Sequence, residues 1–142
     1  MATLMKPVLE IAAARTVAAT TVAAATAQGL RVAVAVVDDG GHLLCFERMD
    51  GVAWGSGEVA LAKAVSAAAY RRDTLVFDQR LTGGRLAVLG QPQAFPIEGG
   101  VALHIDGQCV GAIGASGALA PQDTALCQAG AKALSPAGAD HA

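Results

Sequence analysis

The stretch Val101-Ala-Leu-His-Ile-Asp-Gly-Gln-Cys-Val-Gly-Ala-Ile-Gly-Ala-Ser-Gly117 decides the fold class. Two apolar runs flank Asp106-Gly107, a dipeptide that favours a tight hairpin because both residues tolerate positive φ. The second run carries Gly111 and Gly114 where a packed strand normally places side chains. Glycine weakens a strand, so its presence there signals a bulge, another backbone or a ligand close by. With Gly99 and Gly100 just ahead of the hairpin, one end of the sheet is stripped of side chains. That pattern is read as a pocket floor or a tight subunit contact, with bulges that curl a small sheet as the plainer alternative.

Working outward, Arg31 to Asp38 is a β-branched, nearly all-apolar run, and Asp38-Asp-Gly-Gly41 turns it into a second strand, His42 to Arg48. Before this hairpin, apolar residues recur every three or four positions from Thr3 to about Gln28, which predicts a first helix ending at Gly29. Arg15 falls on its apolar stripe, placed either to lay its stem on the core or to meet an anionic ligand. An alanine-rich helix from about Gly57 to Tyr70 and a short one from Asp73 to Leu81 follow. Arg85 to Gln93 is an ordered loop, Phe95-Pro-Ile97 a short strand, and a last helix opens at Pro121. The order α-β-β-α-α-β-β-β-α indicates an α+β fold with five antiparallel strands, and not a doubly wound nucleotide fold. Residues 1–134 form one domain and 135–142 a flexible tail.

Composition narrows the partners. The 142 residues are 54% hydrophobic and 15% charged, less polar than an ordinary soluble monomer, so part of the excess is expected between subunits of a homo-oligomer. A net charge of −2 without a dense basic patch excludes the electrostatic footprint of a nucleic-acid binder. Arg15, Gln28 and Arg31 interrupt the apolar N-terminal region, so no membrane span is expected, and the location expected is cytoplasmic. Cys45, Cys109 and Cys127 include no Cys-x-x-Cys pair, which argues against a zinc ribbon or a disulfide scaffold; Cys45 and Cys109 read as small buried hydrophobes.

The polar residues offer few candidates for chemistry. His141 lies in the tail and His42 follows a turn, where an exposed imidazole needs no special account. Alternation puts His104 on the sheet face opposite Leu103 and Ile105, as an ordinary strand histidine or, if that face lines the glycine pocket, as an iron ligand or proton carrier. Glu47, Arg48 and Asp50 are surface pairs or site residues, and Lys63 is a solvated helix residue or an anion partner.

Val34-Ala-Val-Val-Asp-Asp-Gly-Gly-His-Leu-Leu44, Phe46-Glu-Arg-Met-Asp-Gly51, Ala62-Lys-Ala64, Gly99-Gly100, Gly107 to Gly117 and Gln122-Asp123 together resemble the GlcG/HbpS family, which includes haem-binding proteins and the C-terminal domain of PduO-type proteins. The resemblance implies a profilin-like sheet packed with helices, assembled into dimers or larger rings and octamers. It implies a small-molecule-binding protein, with non-covalent haem as the leading ligand. Some haem-binding relatives use a first-helix histidine as axial ligand; helix one here has none, which leaves His104 as the metal ligand, a threonine-type contact, or no haem at all. Arg48 and Lys63, with Gly99, Gly100, His104, Gly111, Gly114 and Ser116, are the ligand-binding candidates. The second reading is a cofactor-independent lyase or isomerase for a carboxylated aromatic at a subunit boundary, with Lys63, Asp50 and Asp123 as its catalytic residues.

Overall fold

The computed structural model describes residues 2–134. Four strands form one antiparallel sheet in the order β2-β1-β4-β3: β1 is Ala33–Asp38, β2 Leu43–Arg48, β3 Gly100–Ile105 and β4 Gln108–Ser116. Helices α1 (Ile11–Ala27) and α4 (Ala120–Lys132) cover one face, and α2 (Trp54–Tyr70) covers the other. A short helix α3 (Leu75–Thr82) and a 3-10 turn (Leu86–Gly90) lead back into β3. The expected α+β class and the β1–β2 and β3–β4 hairpins are present. Asp106 and Gly107 carry φ of 51° and 77°, the paired positive values that a two-residue hairpin requires.

Alternation along the central strand divides the interior in two. Val32, Val34 and Val36 point toward α1 and α4, where they join Val17, Leu103, Val110, Ile113 and Leu126. Ala33, Ala35 and Val37 point toward α2, where they meet Ala60, Ala64, Ala67 and Ala112. One face is therefore filled by branched side chains and the other by methyl groups. Along α1 the buried residues are Ala14, Val17, Thr21 and Ala25, and the Thr21 hydroxyl is satisfied by the Val17 carbonyl at 2.9 Å.

The sheet has four strands and not five. Pro96 has no amide to donate, and the outer edge of β3 that a fifth strand would use is occupied. The Gly100 amide donates to Thr74 Oγ1 at 2.9 Å and the Ala102 amide to Asp73 Oδ1 at 3.0 Å, while the Thr74 amide donates to the Gly100 carbonyl at 3.0 Å. Phe95 instead donates its amide to Ser66 Oγ at 3.0 Å. The first helix starts at Ile11, well after the expected Thr3: Pro7 disfavours helical backbone at Lys6, and Glu10 is still extended at φ −74°, ψ 152°. The segment before it runs across the sheet end, with Leu9 inserted in the core and Lys6 Nζ bound to Asp39 Oδ2 at 2.6 Å. The tail expected at 135–142, with His141, lies outside the described residues.

Candidate functional site

Of the glycines expected to floor a pocket, Gly100 and Gly114 lie under α2. A side chain at Gly114 would collide with the Ala60 carbonyl and stand 2.8 Å from the Ala64 amide nitrogen, and one at Gly100 would strike the Lys63 carbonyl. Gly111 is different, since a side chain there would strike the Val37 carbonyl of the neighbouring strand β1 and crowd Leu9, away from α2; Ser116 ends β4 half-buried opposite Ala33. At Gly100 and Gly114 the absent side chains let the α2 and sheet backbones touch, which leaves no space for a ligand between that helix and the sheet.

Lys63 belongs to the same contact. It is 1% exposed, and its ammonium donates to the Ala115 carbonyl at 2.9 Å and to Asp123 Oδ2 at 3.3 Å. Asp123, 2% exposed, accepts the Ala118 amide on Oδ1 at 3.2 Å. Burial raises the Asp123 carboxyl pKa, and the Lys63 charge works against that rise. Gly99, at φ 123°, makes room for the pair, since a Cβ there would lie 2.6 Å from Lys63 Nζ. The Lys63–Asp123 bridge thus joins α2 to α4 across the end of the sheet. Asp50 is not with them: it is exposed, and its carbonyl accepts from Arg31 Nη1 at 2.8 Å.

His104 stands at the β3 edge. A bulge after Leu103 sets it opposite Cys109, and both line a cavity of about 440 Å³ with Lys6, Asp39 and Arg71. Among the described residues no three His, Cys, Asp or Glu side chains converge as a metal site. His42 is exposed in its turn, as its position implied, with Asp38 Oδ1 3.3 Å from Nδ1.

Arg48 stands at the other edge, on β2. The two are separated by three strand spacings across the sheet, roughly 14 Å, and also along it, since Arg48 lies in the row of Ser116 and His104 in the row of Cys109. Leu43, Phe46 and Arg48 line a cleft of about 560 Å³ with Trp54, Gly57 and Leu61 of α2. Phe46 is 45% exposed and Trp54 70% exposed, although both are large aromatics. On the opposite face of β2, Arg15, Ala18, Cys45 and Glu47 line a smaller cleft of about 210 Å³ that shares Phe46. Cys45 and Cys109 are half-buried and only Cys127 is buried; burial raises the pKa of all three thiols. Trp54 and Leu61 were absent from the residues singled out in the sequence. An aromatic at a helix start beside an arginine-bearing strand is the signal that was available. No helix among the described residues is long and apolar enough to cross a membrane.

Comparison with known proteins supports the same frame. The chain is 42% identical over 85 residues to Protein GlcG of Escherichia coli K12, a match covering 60% of this chain and 63% of GlcG, so it spans less than two thirds of that relative. The crystal structure of HbpS superposes with a TM-score of 0.85 at 32% identity, covering 93% of this chain and 94% of that one. The crystal structure of a PduOC:heme complex superposes with a TM-score of 0.81 at 27% identity, covering 89% and 95%. Residues 9–132 match the family described as haem degrading protein HbpS-like, and the chain belongs to that HbpS-like family.

Proposed function

We propose that the protein binds haem or a closely related tetrapyrrole non-covalently at the β2 edge, as a homo-oligomer in which a second subunit covers the open side of the cleft. The observation that carries this reading is the pair of exposed aromatics, Phe46 and Trp54, facing one cleft beside Arg48 in an HbpS-like chain. A macrocycle needs a flat apolar wall, and Leu43, Phe46, Trp54 and Leu61 supply one, each large side chain contributing about 1.5–3 kcal/mol when fully covered. Its propionates need cations, and Arg48 and Arg15 flank the strand on its two faces. Bound haem would supply a redox-active iron. Cys45, nearby on the other face of the strand, would not offer a thiolate to it, because burial keeps the thiol protonated. This edge would therefore hold the ring through Leu43, Phe46 and Trp54 and its carboxylates through Arg48.

The test is an absorbance titration of tag-free protein with haemin, repeated for Phe46→Ala, Arg48→Ala and His104→Ala. A saturable Soret shift that persists in His104→Ala and weakens tenfold or more in Phe46→Ala supports the β2 site. Loss in His104→Ala alone moves the ligand to the β3 edge. A spectrum of free haemin throughout ends the haem reading.

A further inference from the structure

The cavity at the β3–β4 turn is built differently from the β2 clefts. It is more enclosed than they are, and its lining is polar. Its side chains come from segments remote in sequence: Lys6 from the N-terminal arm, Asp39 from the β1–β2 turn, Arg71 at the end of α2, and His104, Gln108 and Cys109 across the hairpin. Arg71 is held at φ 53° as the left-handed cap of α2, so its position is set by the helix end and not by a free loop.

The charges can be counted. Lys6 and Asp39 already neutralise one another at 2.6 Å. Arg71 and His104 enter no ion pair among the described residues. The carbonyl end of α2 offsets about half a positive charge, which leaves roughly half a positive charge from Arg71. Such a cavity attracts an anion of low charge. The Arg71 guanidinium is a planar fork matched to a carboxylate, while the His104 ring and the Gln108 carboxamide offer further hydrogen bonds. Cys109 is a wall and not a nucleophile, since its thiol donates to the Gly111 carbonyl at 3.4 Å and burial raises its pKa.

We infer that this cavity is a second ligand site, separate from the β2 edge, which holds a small carboxylate through Arg71, His104 and Gln108. The Lys6–Asp39 pair in its lining shows the same chemistry internally, an ammonium holding a carboxylate. Because the two sites share no lining residue, occupancy of one can be read without the other.

The experiment is a titration of the full chain with succinate, and separately with inorganic phosphate, followed in amide ¹H–¹⁵N spectra without haemin. Saturable millimolar shifts confined to Arg71, His104, Gln108 and Cys109 are expected with succinate. Arg71→Gln should weaken binding tenfold or more with an unchanged unfolding temperature, and Arg71→Lys should recover only part of it. Absence of saturable shifts, or equal affinity in Arg71→Gln, would overturn the site. Tighter binding of phosphate than of succinate would overturn the carboxylate assignment. Haemin binding by Arg71→Gln is expected to be unchanged, which separates failure here from failure at β2.

Discussion

The two faces of the sheet solve the same packing problem by opposite means. Toward α1 and α4, β1 and β4 present Val34, Val36, Val110 and Ile113, and the helices stand off far enough to admit them. Toward α2, the same strands present Ala33, Ala35, Ala112 and Gly114, and the helix backbone comes down onto the strand itself. The branched face gains from buried hydrocarbon; the small face gains from dense dispersion contact and little side-chain entropy loss. The branched face can shrink locally around a lost methyl, whereas the small face has no room to absorb an added one.

Variants that break the two faces should therefore differ in size. The largest effect is expected at the bridge between them: Lys63→Met leaves Asp123 buried without its counter-charge, and urea unfolding should show a loss of about 3–5 kcal/mol. Pairing it with Asp123→Leu should recover much of that loss; if the double variant is as unstable as the single one, the bridge is not what holds the layers together. Gly114→Ala comes next, at about 3 kcal/mol, because its methyl must displace the α2 backbone at Ala60. On the branched face, Val34→Ala should cost about 2 kcal/mol from lost transfer energy and a small cavity. A ranking in which Val34→Ala exceeds Gly114→Ala would remove the contrast. The smallest effect is chemical: in the native protein, thiol titration should label Cys45 and Cys109 slowly and leave Cys127 untouched until unfolding, since Cys127 is buried with its pKa pushed far up.

Local chemistry made the hairpins legible. Asp106-Gly107 and Asp38-Asp-Gly-Gly41 carry their turn geometry in their own residues, and Asp38 Oδ1 accepts the Gly40 and His42 amides at 2.9 Å. The fifth strand was not legible in that way. Whether Phe95-Pro-Ile97 pairs depends on whether Asp73 and Thr74, twenty residues earlier, have already taken the β3 edge. Lys63 illustrates the same limit, since nothing within an alanine-rich helix announces a buried partner sixty positions away. The glycines were partly legible: a strand stripped of side chains and a helix made of alanines belong together, which favours backbone contact over a pocket. At the candidate sites, His104 and Arg48 read as one constellation from their chemistry, and the strand order places them on opposite edges.

Strand order has a further consequence for how the chain is made. β1 pairs on one side with β2, only a few residues later, but on the other with β4, so that Val36 meets Ile113. During synthesis the most apolar strand of the protein emerges early, and its second neighbour follows at roughly 5–20 residues per second. For several seconds, then, β1 exposes an unpaired edge to whatever surrounds the ribosome, although α1, made before it, is already there to cover part of its valine face. A chain with this topology folds on the time scale of its own completion, and the interval before β4 arrives is when it is most open to misassociation.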